Sequence, residues 1–191
     1  MKIDRMEIAE LKAELERLHS ASFGWALSCC RRDRTEAEEV LQTVYLKILE
    51  GKACFRGEAS LKTWLFAVIR KTAATEYRRR FVRSLRLTSH PETSHASAAI
   101  NESQAASVER WEIKERFQNA MKNLPRRQRE ALHLVFYEDL SLREAADVMG
   151  VSIGSARQHY ERGKKHLRDS LATMELDYGI GWGRKENPGA V

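Results

Sequence analysis

Apolar residues recur along this chain at steps of three and four. Ile8, Leu11, Leu15 and Leu18 do so near the start, and Ala37, Val40, Leu41, Val44 and Ile48 follow. Ile113, Phe117, Ala120, Met121 and Leu124 repeat the pattern later. This spacing puts one apolar face on a helix of 3.6 residues per turn. No stretch alternates as a half-buried strand would. Breakers are scarce in the same regions: the prolines are Pro91, Pro125 and Pro188, and Gly179, Gly181, Gly183 and Gly189 cluster at the end. The pattern predicts an all-α protein.

Residues 88–107 are rich in Ser, Thr and Ala and poor in large apolar side chains, the composition of a linker. They separate a helical unit at 1–87 from a second at 108–173, and residues 174–191 form a tail without period. The predicted architecture is two small helical domains joined by a flexible linker.

Local signals in the second unit predict a helix-turn-helix. Pro125 suits the first turn of a helix, whose apolar face takes Gln128, Ala131, Leu132, Val135 and Phe136. Ser141 and Glu144 have the spacing of a capping box, and Gly150 suits a left-handed stop. Ser152 caps the next helix, with Ala156, Tyr160, Gly163, Leu167 and Leu171 facing inward. Its outer face shows Arg157, Gln158, Glu161, Arg162 and Lys165, and Arg and Gln can each read a base edge through two hydrogen bonds. An ordinary helical hairpin with a charged surface would carry the same residues. In the first unit, Thr35 with Glu38 predicts another capping box, and Ser60 a further N-cap.

Charge sharpens this picture. The net charge is +6, yet residues 51–90 alone hold ten Lys or Arg against two acids, in keeping with nucleic-acid contact. A solvated basic helix face is the plainer reading of the same cluster. The longest unbroken apolar run, Trp64 to Ile69, is far too short to span a bilayer, and no N-terminal export signal is visible. Cys29, Cys30 and Cys54 match neither a disulfide framework nor a zinc site. Phosphate-cradling glycine loops, nucleophile motifs and metal-ligand spacings are missing, so the sequence predicts no enzyme, cofactor or metal. The expected protein is cytoplasmic, without membrane insertion.

Three blocks in this order resemble the extracytoplasmic-function sigma factors of bacterial RNA polymerase, within the sigma-70 family. They are EAEEVLQTVYLKIL (Glu36 to Leu49), FRGEASLKTWLFAVIRKTAATEYRRR (Phe55 to Arg80) and the stretch from LPRRQRE to HLRDSL. The resemblance implies a region 2-like domain at 1–87 and a region 4-like domain at 108–173. Its implied partners are core RNA polymerase, promoter DNA and an anti-sigma factor. It places Glu36, Glu38, Glu39 and Gln42 on the polymerase. Phe55, Arg56, Lys71, Thr75, Arg78 and Arg79 go to the minus-ten element, and Ser155, Arg157, Gln158, Glu161, Arg162 and Lys165 to the minus-thirty-five element.

The residues keep other readings beside these. Acid at the start of the Glu36 helix favours the helix dipole without any partner. Trp64 fits a core position as well as a base platform, and Phe55 fits either. Lys71 and Thr75 stand where the family commonly has Asn and Asp, and Glu161 repels phosphate while it can accept from cytosine. A free-standing helix-turn-helix regulator would account for 108–173 and leave the first two blocks unexplained.

Overall fold

In the computed structural model, which describes residues 8–86 and 117–178, every regular element is a helix. The first unit is built from α1 (Ile8–Arg17), α2 (His19–Cys29), α3 (Arg34–Leu49) and α4 (Leu61–Arg86). Its core is the set that the periodicity picks out. Val40, Val44 and Ile48 of α3 meet Leu65, Phe66 and Ile69 of α4, with Trp25 of α2 wholly enclosed between them. The Trp25 indole N–H has a partner there, donating to the Phe66 carbonyl at 3.0 Å. A buried indole needs such an acceptor, since an unpaired donor would forfeit its hydration.

One predicted cap lies elsewhere. α3 starts at Arg34, and Asp33 is the N-cap, its carboxylate accepting from the Glu36 N–H at 2.9 Å. The predicted Thr35–Glu38 box does not form, because Thr35 already lies inside the helix and Glu38 pairs with Arg34 at 2.9 Å. Ser60 behaves as predicted, its hydroxyl accepting from the Thr63 N–H at 3.1 Å.

The second unit comprises the described part of α5 (117–123), α6 (Arg126–Leu132), a π-helical turn (His133–Tyr137), α7 (Leu142–Met149) and α8 (Ile153–Tyr178). Pro125 is the N-cap of α6, one place before the predicted first turn, and its carbonyl accepts from Gln128 and Arg129. The π turn changes which side chains face inward. A wider turn rotates the residues after Leu132, so Leu134 is fully buried while Phe136, predicted to point in, is 60% exposed. The Ser141–Glu144 capping box forms in full, and Gly150 ends α7 at φ 62°. Ser152 caps α8 by accepting from the Ser155 N–H at 3.1 Å.

The two units touch. Leu134, Leu140, Val148 and Met149 of the second join the buried cluster of the first. Around that contact Arg70 of α4 lies 3.1 Å from Glu130 of α6, and Lys62 of α4 lies 3.0 Å from Glu138. Glu130, 1% exposed, also faces Arg126 and Arg127, so its buried charge is well compensated. The predicted linker at 88–107, residues 108–116 and the predicted tail beyond 178 lie outside the described residues.

Candidate nucleic-acid and protein interfaces

α3 carries the acidic face. Glu38, Glu39 and Gln42 are exposed and Glu36 is half-buried, so one side of the helix gathers them as predicted. These acids are not bare. Arg80 of α4 bonds Glu36, and its second nitrogen lies 2.7 Å from Glu39, while Arg34 takes Glu38. Arg80 therefore leaves the basic footprint to which its sequence neighbours assign it. Nothing local in the chain announces this, because 41 positions separate Arg80 from Glu39.

Where α4 leaves the loop after α3, a cavity of about 620 Å³ opens. Phe55, Arg56, Lys71 and Thr75, four of the residues predicted for the minus-ten element, line it together with Trp64. Phe55 and Trp64 lie with ring centroids 5.5 Å apart at 57°, forming a tilted aromatic corner. Trp64 also packs on the buried core, so it acts as a wall with one face available. Arg78 and Arg79 do not line this cavity. They sit about two turns further along α4, roughly 10–12 Å beyond Lys71. Arg78 is held by the Ala74 carbonyl and Arg79 by Glu76. Thr75 spends its hydroxyl on the Lys71 carbonyl at 2.9 Å, leaving its methyl group as the natural contact surface.

Two lining cations were missed by the sequence reading, Lys47 and Lys52. Lys47 comes from the last turn of α3 and reaches Thr72 at 3.3 Å. The excess of Lys and Arg over residues 51–90 was the available signal for Lys52, whereas Lys47 depends on the packing of α3 against α4. One acid from the other unit, Asp147 of α7, also lines the cavity.

The third surface is the outer face of α8. Arg157, Gln158, Glu161, Arg162 and Lys165 are all exposed there. Ser155 is half-buried and engaged in the cap, with its hydroxyl 3.0 Å from that of Ser152. Glu161 pairs with Lys164 at 3.1 Å, which offsets its repulsion of phosphate, and Lys164 also lies over the Tyr160 ring. Beneath this face Ala145 and Ala146 are buried, so α7 and α8 approach closely. Arginine and amide groups on an accessible helix after a tight turn can enter a major groove.

Two of the three free cysteines, Cys29 and Cys30, offer little nucleophilic chemistry. Burial pushes the Cys29 thiol well up, and Cys30 to about 12, so both stay protonated at neutral pH. No helix among the described residues is long and apolar enough to cross a membrane.

Comparison with known proteins places both units. Residues 15–81 match Sigma-70 region 2, and residues 114–167 match Sigma-70, region 4. RNA polymerase sigma factor SigZ of Bacillus subtilis is 25% identical over 77% of this chain and 81% of its own. ECF RNA polymerase sigma factor EcfG of Rhodopseudomonas palustris is 29% identical over 69% of this chain and 68% of its own. Among solved structures, the sigma factor RpoE of Bartonella quintana, in complex with the anti-sigma factor NepR, is similar with a TM-score of 0.71. It is 25% identical, and the match covers 86% of this chain and 98% of that one. CnrH, solved with the cytosolic domain of CnrY, shares the fold at 18% identity and a TM-score of 0.60, over 88% of this chain and 91% of that one.

Proposed function

The chain belongs to the sigma-70 family, as a factor of the extracytoplasmic-function type that directs core RNA polymerase to promoters and initiates transcription, and from that premise we propose how its surfaces divide the task. The cavity at Phe55 and Lys71 takes an unpaired base and adjoining phosphates of the minus-ten element. Aromatic stacking holds a base of any identity, while Lys47, Lys52, Arg56 and Lys71 neutralise the backbone. Arg78 and Arg79 extend that attraction along α4. The outer face of α8 reads the minus-thirty-five element, with Arg157 and Gln158 on base edges and Arg162 and Lys165 on phosphates.

Glu36, Glu38, Glu39 and Gln42 meet a positively charged surface of core polymerase. An acidic face on a chain of net charge +6 suits a protein partner better than DNA. The domain boundaries are 1–87 and 108–173, with a linker between them. The protein has no catalytic chemistry of its own and acts in the cytoplasm, on the nucleoid, through the polymerase. An anti-sigma factor is its regulator, by likeness to the sigma factor RpoE, which is solved in complex with one.

The observation that carries this reading is the pairing of an aromatic, lysine-lined cavity on one unit with an accessible arginine and glutamine face on the other. A free-standing regulator would use only the second. Run-off transcription from genomic fragments by purified core polymerase, with and without the chain, tests it. Defined start sites should appear only with the chain present. Transcription unchanged by its addition would refute the reading.

A further inference from the structure

A second cavity, of about 1350 Å³, opens on another face of α4 and is walled by α2, the turn into α3, α5 and α6. That is ample room for a ligand of nucleotide size. Arg31, Arg32, Lys122 and Arg129 line it, and none of them makes an ion pair among the described residues. The acids that share the cavity are engaged already. Asp33 caps α3, Glu36 is bonded by Arg80, and Glu138 pairs with Lys62. The cavity therefore holds positive charge that the fold does not neutralise.

Two of these cations stand where the backbone resists them. Arg31 and Arg32 follow one another at φ 54° and 67°, in a turn closed by the Arg32 N–H on the Leu27 carbonyl at 2.8 Å. Glycine occupies that region without strain, whereas a side chain is crowded by its own backbone. The turn by itself would be better served by glycine at both places, so what the arginines supply is their guanidinium groups. Strained residues held in place by their surroundings gather at ligand sites. Nearby, the half-buried Arg129 donates to the Lys122 carbonyl at 3.1 Å. Burial holds its guanidinium below the ordinary pKa; Glu130 opposes this, and the charges of Arg31 and Arg126 add to it. A bound anion would relieve that repulsion.

The cavity also offers an aromatic surface. Trp25 meets His133 with ring centroids 5.3 Å apart, and His133 meets Tyr137 at 5.3 Å. This series runs from the buried core to the cavity wall, where Tyr137 is 55% exposed. Burial raises the Tyr137 phenol, and the nearby charge of Arg32 counters part of that rise. An accessible ring and unpaired guanidinium groups thus face one space, the combination that recognises a base joined to phosphates. We propose that this cavity binds a nucleoside polyphosphate, its phosphates held by Arg31, Arg32 and Arg129 and its base laid on Tyr137. The site is separate from the surfaces assigned above to promoter DNA, and the inference does not rest on that assignment.

The test is calorimetric titration of the full chain with ATP, GTP and inorganic tripolyphosphate, alongside thermal melts. At least one nucleotide should bind, and more tightly than tripolyphosphate, because only the nucleotide has a base for Tyr137. Arg32→Gly should weaken nucleotide binding about tenfold or more through loss of a charged contact. The same change should raise the thermal midpoint, since glycine relieves the turn. Arg129→Gln should weaken nucleotide and tripolyphosphate alike, and Tyr137→Ala the nucleotide alone. Failure of both nucleotides to bind at millimolar concentration would overturn the site, as would full affinity in Arg32→Gly. A lowered midpoint together with weaker binding would assign Arg32 to the fold and overturn its place in the site. Tripolyphosphate binding as tightly as the nucleotides would overturn the base contact. Displacement of bound nucleotide by a thymidine oligonucleotide of about 12 nucleotides would make the cavity a nucleic-acid track and overturn the proposal.

Discussion

Arg80 Nη2 lies 2.7 Å from Glu39 Oε2, so a residue of the basic stretch of α4 neutralises the acidic face of α3. The same guanidinium bonds Glu36. Both ends of the Glu39 pair are well exposed, and such pairs contribute ~0–1 kcal/mol, so this is a surface arrangement that a partner can rearrange.

Reversing Glu38 and Glu39 to Lys should therefore weaken core-polymerase binding while helix content and thermal midpoint stay near wild type. The contrasting variant is Asp33→Ala. It removes the actual N-cap and should cost about 1 kcal/mol of stability, whereas Thr35→Ala should be nearly silent. Circular dichroism melts alongside a polymerase pull-down separate the two effects. Unfolding by the double reversal would mean that the acids serve the helix alone.

Arg157→Ala should lower transcription from promoters in a base-dependent way, losing ~1–3 kcal/mol at one position of the upstream element. Arg162→Ala should weaken all sequences alike and flatten the salt dependence of binding. Competition with single-base promoter variants over a salt series reads both. Equal losses across all bases for Arg157→Ala would remove it from base reading.

Lys71→Asn should change the base profile within the downstream element. An ammonium only donates hydrogen bonds, whereas the amide both donates and accepts, so Asn can select a base edge that Lys cannot. Transcription from a library randomised across that element provides the comparison. Matching profiles for the two proteins would leave selection to Phe55 and its loop.

Gly163→Ala should destabilise the second unit even though Ala is the better helix former by about 1 kcal/mol. A Cβ at this position would sit 3.1 Å from Leu132 Cδ1 and 3.2 Å from Gln128 Cβ. Leu132 is buried in the packed interior and has little room to yield, and overpacking of this kind costs ~1–3 kcal/mol. A raised thermal midpoint would show that α8 can move away from α6.

Acid should loosen the contact between the units. Burial works to raise the Glu138 carboxyl, but His133 at 3.5 Å and Lys62 at 3.0 Å outweigh it and hold the group below its ordinary 4.5. A carboxyl lowered in the folded state contributes stability above its unfolded value, and that contribution fades as pH falls through the folded one. Ser141 lowers Glu144 in the same direction through its hydroxyl and backbone N–H. Thermal midpoints measured from pH 6 downward should fall below about pH 4.5, and Glu138→Gln should blunt that fall. An acid limb identical in both proteins would show that Glu138 is not linked to stability.

Features carried by neighbours in the chain could be read before any fold was known. The Ser141–Glu144 box, the Gly150 stop and the Ser60 and Ser152 caps each depend on residues three positions apart or on one backbone angle, so local composition determined them. The apolar spacing likewise chose Val40, Val44 and Ile48 for burial, because helical period alone selects a face. Other features belonged to the tertiary structure. The π turn that exposes Phe136 has no composition signal, since an extra residue per turn forms only where packing rewards it. Arg80 turns from DNA to Glu36 and Glu39, and Lys47 and Asp147 reach the Phe55 cavity, because packing of helices distant in sequence brings those groups together. Sequence order determined the helices and most of their inward faces. Which charges meet, and whether the two units stand apart or together, was decided by contacts between residues too far separated in the chain for spacing to reveal.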